Sequence, residues 1–466
     1  MSKVDKPPAL LRQLGVASAA ALVISNMVGT GIFAATGYLA GDLGSPSLIL
    51  LIWVVGAVAA LAGAFCYSEL GVNYPSSGGE YVYLTHAYGP TWGFMTGWVS
   101  FFAGFSAPIA AAALAFSNYL GYFFPSLKQE SAAWVIGSGS LTFKLGGAQA
   151  AASALILLFT IINFFGVGRV ARLQNVLTAT KVLVLAAFIL LGLLVGTGDW
   201  GHFSQPATRT SSAPLPFQFA ISLWFIYTSY SGWNAATYVA EELRQPARTL
   251  PRALAVGTAL VAALYIGLNI VFIYAVPPEK MKGVVAVGAL AASYLFGPEL
   301  AGVFSALMAL SLMSTVNAMV TIGPRVYYAM ARNGAFLKMA GQVNPRWHTP
   351  VTAIVCQGLC AVLMTVLPFL GLINYIGFML NFFAALSVAS LFVFRRRQGW
   401  QRLHAVDFAW PLVPAVFLVV AAWMTLFGVT LQPKVFAAAA LTLATGALVY
   451  HFRLRGVAVS RPAGAE

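Results

Sequence analysis

The sequence predicts an all-α membrane protein of twelve transmembrane helices, two of them interrupted partway across the bilayer. Three observations carry this reading. Hydrophobic residues make up 60% of the 466 and charged residues 8%, whereas roughly a quarter of soluble-domain residues are charged. The apolar segments are continuous runs of about 20 residues, the length of a membrane-crossing helix, rather than the alternating segments of about ten that build a barrel. Two of the runs carry a polar, glycine-centred break: Val28-Gly29-Thr30-Gly31-Ile32-Phe33 in the first and Tyr230-Ser231-Gly232-Trp233-Asn234 in the sixth, with Gly29 and Gly232 203 positions apart.

Taken in order, the spans are expected near residues 15–40, 47–72, 92–124, 149–167, 174–196, 214–240, 252–276, 299–330, 351–369, 371–395, 408–429 and 434–452. The third and eighth exceed an upright crossing and are expected to tilt or to run on into the cytoplasm. Met1 to Leu14 is basic and leads straight into a long span, without the short apolar stretch and small-residue cleavage site of a secretory signal, so the first span is expected to be retained. Nineteen of the 26 Lys and Arg residues fall in segments on the N-terminal side of the membrane and six on the other, with Lys181 inside a span. That bias predicts a multi-pass protein of the cell membrane with both termini cytoplasmic. The net charge of +14 then reflects basic cytoplasmic loops, and no nucleic-acid partner is expected. Spans 1–5 begin inside and spans 6–10 outside, which allows an inverted repeat of residues 1–196 and 214–395, with 408–452 forming two additional spans.

The breaks hold the chemistry. A glycine in mid-span weakens the helix and frees backbone N–H and C=O groups. In lipid such groups survive only where they line a cavity. Interrupted spans at corresponding places in two halves point to a transporter's binding site. Gly29, Thr30 and Gly31 would present N–H groups at the positive end of a half-helix dipole, which suits a carboxylate. Carbonyls near Met27 and Val28 would suit an ammonium. In the second break Thr228, Ser229, Tyr230 and Ser231 supply polar groups and carbonyls, Gly232 permits unwinding, and Trp233 and Asn234 open the following half-helix. Trp233 is placed with the substrate-binding set, and Asn234 as support for the unwound segment. Together these segments suit a zwitterionic amino acid; the blander reading, that small residues merely let helices pack closely, fits one break better than two.

Lys181 is an intramembrane charge and a functional candidate for that reason. Its ammonium is expected to neutralise carbonyls of the first break, where a cation would otherwise sit. Glu69, Glu80, Glu241 and Glu242 cluster at cytoplasmic ends of spans, and the sequence assigns them either gating ion pairs with Arg244, Arg248 or Arg252 or a solvated rim. No carboxylate is expected in mid-span near either break. Arg395-Arg396-Arg397 reads as a stop-transfer cluster that meets lipid headgroups. Cys66, Cys356 and Cys360 lie in apolar segments and read as small buried residues. No metal, cofactor or enzymatic motif is present: Gly29-Thr30-Gly31 follows no strand, which excludes a nucleotide fingerprint.

Several motifs resemble those of the amino acid–polyamine–organocation transporters. Val28 to Phe33 is similar to that family's first-span signature, and Tyr67-Ser68-Glu69-Leu70 with Tyr74-Pro75-Ser76-Ser77-Gly78-Gly79-Glu80-Tyr81 to its connection between the second and third spans. Ser231-Gly232-Trp233-Asn234, Glu241-Glu242, Pro246 to Pro251 and Asn317 to Arg332 resemble the L-type branch and the light chains of heteromeric amino acid transporters. The resemblance implies a five-plus-five inverted repeat in which spans 1, 2, 6 and 7 rock against the rest. It implies carboxylate binding at the N–H groups of Thr30 and Gly31, amino-group binding near Met27, Thr228 and Ser231, and sodium independence, because Lys181 matches a fifth-span lysine that stands in a sodium site's place. Thr228 stands where relatives carry a large aromatic gate, and the uncharged Ser231 favours neutral substrates. A small amino acid and membrane lipids are the partners implied, through exchange or proton symport. An accessory chain is not expected, because no cysteine lies in an outer loop to tether one. The alternatives are a polyamine or cationic amino acid carrier and an amino acid sensor without transport.

Overall fold

The computed structural model describes residues 10–131, 133–136, 143–284, 286–367, 369–431 and 433–454. Lys3, Lys6, Arg455 and Arg461, which enter the charge bias above, lie outside the described residues.

The architecture is helical almost throughout. α1 (Val16–Met27) and α2 (Gly31–Leu43) form the interrupted first span, followed by α3 (Pro46–Asn73), the short α4 (Glu80–Tyr88), and α5 (Pro90–Val99) joined to α6 (Ala107–Leu120) through a π-helical stretch, Ser100–Ser106. After a two-stranded antiparallel ribbon, β1 (Trp134–Ile136) with β2 (Phe143–Leu145), come α7 (Gly147–Ile162) and α8 (Val167–Leu194). α9 (Leu215–Tyr230) and a 3₁₀ segment (Ala235–Glu242) form the interrupted sixth span. α10 (Pro246–Ala275), α11 (Pro278–Met281), α12 (Val287–Phe296), α13 (Pro298–Arg332), α14 (Val351–Met364), α15 (Phe369–Phe394), α16 (His404–Asp407), α17 (Leu412–Leu431) and α18 (Pro433–Val449) complete the chain.

Nine helical segments among the described residues are long and apolar enough to cross a membrane. Pro46, Pro90, Pro246 and Pro298 each occupy a first helical turn, where the missing N–H breaks no intrahelical bond and the fixed φ suits a helix start. α10 packs on α1 and α3, and α13 on α6 and α8, around a continuous apolar core. Rows of bare apolar side chains face outward, among them Leu183, Leu190 and Leu194 of α8 and Leu51, Val54 and Val58 of α3. Such rows cost nothing against lipid tails, which are as apolar as leucine.

The sixth span is broken where the sequence places the break: it is helical to Tyr230 and then turns before its 3₁₀ segment. One span differs from expectation. The ninth, expected over 351–369, is helical only from Val351 to Met364 before its chain turns. A further apolar helix, α12, packs on α13 and α10; at 10 residues it is too short to cross and was not visible as a span.

Arg395 corrects the lipid-headgroup reading of the arginine triplet. It is turned inward, 8% exposed, with Nη2 2.6 Å from Glu69 Oε2 and Nη1 2.9 Å from Asp407 Oδ1. The basic cluster thus opens with a structural ion pair, while Arg397 bonds the Tyr74 hydroxyl and the His86 carbonyl.

Candidate functional site

Both breaks are present in the backbone. α1 stops at Met27, Val28 leaves helical conformation with ψ at 85°, and Gly29 N–H bonds back to Met27 O at 2.8 Å. α2 then starts at Gly31. Among the described residues no hydrogen bond from the protein takes up the N–H groups of Thr30, Gly31 or Ile32, the unpaired donors that every helix start leaves. In the second break Ser231 is extended, with φ −54° and ψ 141°, and Gly232 adopts φ +104°.

The two breaks touch. A Cβ on Gly31 would fall 2.6 Å from Ser229 Cα, and one on Gly232 2.7 Å from the backbone carbon of Asn26. Only side-chain-free residues permit backbones so close. Tyr265 of α10 bridges the pair, donating to Met27 O at 2.6 Å and to Ser229 O at 2.9 Å.

Between the breaks lies a cavity with about 830 Å³ of open space, counting its mouth. Met27, Gly29, Thr30 and Gly31 line it from the first break, and Thr228, Ser231, Gly232, Trp233 and Asn234 from the second. Its other walls are Phe105, Pro108 and Ala112 around α6, Thr315 and Met319 of α13, and Ile376 and Leu380 of α15. Val28, Ser229 and Tyr230 do not line it. Val28 faces Lys181, the Ser229 hydroxyl bonds Phe225 O, and the Tyr230 hydroxyl bonds Trp53 O. Trp233 is buried edge-on against Tyr67 and Phe417. Among the described residues Thr228 Oγ1 is buried without a partner, while the aromatic residues in the wall are Tyr227, Phe105, Trp233 and Tyr238.

Lys181 sits where an ammonium meets the first break. It is 1% exposed, with Nζ 2.7 Å from Val28 O, 2.8 Å from Thr315 Oγ1 and 3.4 Å from Ser25 O. Thr315 Oγ1 also donates to Val28 O at 2.7 Å. The carbonyls of Met27 and Val28, read from sequence as open to a cation, are therefore engaged by the protein. Ser231 O and Asn26 O accept no hydrogen bond among the described residues, so they are the free acceptors beside the free N–H groups. Lys181→Met removes charged hydrogen bonds worth about 1.5–3 kcal/mol. Its expected effect is a KM raised about tenfold or more in the concentration dependence of uptake; an unchanged KM would detach Lys181 from the site.

The carboxylates correct the sequence reading. None of the four pairs with Arg244, Arg248 or Arg252. Glu69 pairs with Arg395, and Glu242 with Arg325 at 2.8 Å, both buried, while Glu241 meets Arg332 at 3.8 Å near the surface. Among the described residues Glu80 pairs with no cation. It is 4% exposed and lines the cavity, so a carboxylate does lie beside the second break. Its Oε1 accepts from the Tyr67 hydroxyl at 2.7 Å and Asn234 Nδ2 at 3.0 Å, and its Oε2 from the Tyr238 hydroxyl at 3.0 Å. Because α4 begins at Glu80, just beyond the Gly78-Gly79 turn of positive φ, its side chain reaches inward although it lies between spans. Burial pushes its carboxyl above the usual carboxylate range, against the pull of those three hydrogen bonds.

Comparison with known proteins places the chain in a family. A model of the family described as "Amino acid permease" matches residues 14–449. The "Large neutral amino acids transporter small subunit 2" of Mus musculus is 30% identical over 95% of this chain and 81% of its own. The "Asc-type amino acid transporter 1" of Mus musculus is 30% identical over the same shares, and the "b(0,+)-type amino acid transporter 1" of that species 28% identical over 92% and 85%. These relatives overturn the expectation that no accessory subunit is involved, since the first is by name the small subunit of an assembly. The argument from cysteines bears only on a covalent tether, and subunits also associate through packed surfaces without one. The protein is a multi-pass membrane transporter rather than an enzyme. From first break to last helix, the chain belongs to the amino acid permease family.

Proposed function

We propose that the protein is a secondary active transporter of neutral L-amino acids that works by alternating access, without sodium, as an exchanger or a proton symporter. The observation that carries this reading is the meeting of two unwound helices across one cavity. Free N–H groups of Thr30 and Gly31 would hold the substrate carboxylate, and the carbonyls of Ser231 and Asn26 its ammonium. Lys181 fills the place beside the first break that a coupling cation would take. The apolar walls, from Phe105, Met319 and Ile376, suit an uncharged side chain.

In this reading residues 1–196 and 214–395 are the two inverted halves, 408–452 add two spans, and both termini are cytoplasmic. The backbone bonds Gln13 N and Leu14 N to Glu242 O, and Arg244 N to Leu14 O, tie the near end of α1 to the far end of the second break. The two broken spans would then move as one body. A partner subunit held without a disulfide also belongs to the reading, from the names of the relatives.

The test is uptake of a panel of radiolabelled amino acids by the purified chain in proteoliposomes, with and without internal substrate. Saturable uptake of neutral L-amino acids, unchanged when sodium is replaced, is expected. Uptake only against internal amino acid would mean exchange, and accumulation under a proton gradient alone would mean symport. Glu80 in the cavity wall is the one observation that favours a cationic or polyamine carrier. Inhibition by lysine or putrescine, with none by leucine or alanine, would decide for it. Binding without any flux would make the chain a sensor.

A further inference from the structure

We propose that Glu80 carries the coupling proton: its protonation releases Tyr67 and the Asn234–Tyr238 segment from α4 and so links proton movement to the opening of the cavity. The inference rests on the transport reading above and names its coupling group.

Glu80 stands apart from the other buried glutamates. Glu69 and Glu242 each face a guanidinium. The polar groups facing Glu80 are Tyr67 of α3, Asn234 and Tyr238 of the second break, Tyr83 of its own helix and Tyr227 of α9. No lysine, arginine or histidine reaches it among the described residues. A buried carboxylate without a cation is costly when charged, and the proton is the simplest neutraliser. A guanidinium-paired carboxylate has no such need, which leaves Glu80 as the group in the cavity wall suited to binding and losing a proton.

Glu80 and the groups that hold it come from parts that a rocking motion separates. Glu80 opens α4, outside the four spans expected to rock, whereas Tyr67 belongs to the second span and Asn234 and Tyr238 lie immediately beyond the unwound turn of the sixth. Charge-assisted hydrogen bonds are roughly twice as strong as neutral ones. The ionised carboxylate, accepting from all three donors, therefore clamps the second and sixth spans to α4. On protonation the carboxyl becomes a donor at one oxygen, the clamp weakens, and a tyrosine hydroxyl must turn to accept. The proton comes from water in the cavity and returns to water on the side where the clamp re-forms, so no other reactant is needed. Three of the roughly four acceptor positions of a carboxylate are taken by the protein. Glu80 is thus built into the wall rather than presented to a cationic side chain of a substrate.

The sign follows: transport rises as pH falls through the midpoint of Glu80, which burial sets above the ordinary carboxylate range. The test uses the full chain in proteoliposomes loaded with the pH dye pyranine, with radiolabelled alanine and leucine outside. An acidic exterior is expected to raise accumulation at least tenfold over equal pH, with acidification of the lumen on addition of amino acid. In E80Q the lumen signal disappears and the pH profile is flat. In Y238F, which removes one donor to the charged form, the midpoint moves up by about half to one pH unit. Wild-type uptake with no proton movement overturns the proposal, as does an E80Q profile that titrates like the wild type. Should E80Q carry nothing, the Y238F midpoint decides, and an unshifted one overturns it. A wild-type chain that moves neither amino acid, with or without internal substrate, instead overturns the transport reading itself.

Discussion

Replacing Gly232 with alanine abolishes transport, because two independent costs fall on one atom. The residue sits at φ +104°, where an L side chain is strained by roughly 1–3 kcal/mol. The added Cβ would also lie 2.6 Å from Asn26 Cβ and 2.7 Å from the Asn26 carbonyl carbon. Backbone cannot swing aside as a side-chain tip can, and overpacking of this kind adds about 1–3 kcal/mol. The cheapest relief is for the two breaks to part, which moves Ser231 O and Asn26 O away from the Thr30 and Gly31 N–H groups. Uptake is expected to fall at least a hundredfold while the protein remains folded by thermal unfolding in detergent. Gly399→Ala is the control: φ is +78° there but nothing lies within 4 Å of the new Cβ, so it carries the strain without the contact and should leave transport within a few fold. Gly31→Ala should behave like Gly232→Ala, and Ser229→Ala should not rescue it, because removing the Ser229 hydroxyl still leaves Ser229 Cα 2.6 Å and Cβ 2.7 Å from the new methyl. Uptake by Gly232→Ala within twofold of wild type would show that the contact between the breaks is dispensable.

The same contact shows how far the sequence could be read. Hydropathy located the nine helical segments of membrane length among the described residues, and the glycine pairs located both breaks, since a helix in lipid can be interrupted only where something satisfies its backbone. Lys181 was legible for a related reason, being a charge in an apolar run. What pairing across the chain decides was not legible. Tyr265 lies 34 positions from Ser231 in sequence, yet its hydroxyl joins both breaks; only its place in mid-span hinted at a polar task. Glu80 was read by sequence position as a gating ion-pair partner or a rim residue, but the Gly78-Gly79 turn swings it into the cavity wall. The arginine partners of Glu69 and Glu242 come from the turn just after α15 and from α13, far along the chain, whereas a reader of sequence looks first to the near Arg244 and Arg248. Charge complementarity fixes that a buried carboxylate needs a partner, and packing alone chooses which.

Arg325→Met is the second large effect, and it falls on folding. Arg325 is 1% exposed and Glu242 fully buried, with Arg325 Nε 2.8 Å from Glu242 Oε1 and Nη2 3.4 Å from Oε2. Methionine fills much of the arginine stem's space but leaves Glu242 charged and unpaired. Breaking a buried pair from one side costs about 3–5 kcal/mol, a large part of the stability of an ordinary domain. A marked drop in the thermal midpoint in detergent, with poor recovery of monodisperse protein, is expected. Glu242→Gln together with Arg325→Met removes both charges and should recover part of the loss, because the penalty belongs to the orphaned ion rather than to the missing attraction. Arg332→Met provides the contrast: its 3.8 Å approach to Glu241 is solvent-exposed, and such pairs contribute under about 1 kcal/mol. Glu242 also takes the Gln13 and Leu14 N–H groups on its carbonyl, so the ion pair joins the body of broken spans to α13. If the double variant folds and transports with an altered rate, the pair holds that body in place during the cycle. A single Arg325→Met protein as stable as wild type would mean that this ion pair is dispensable for folding.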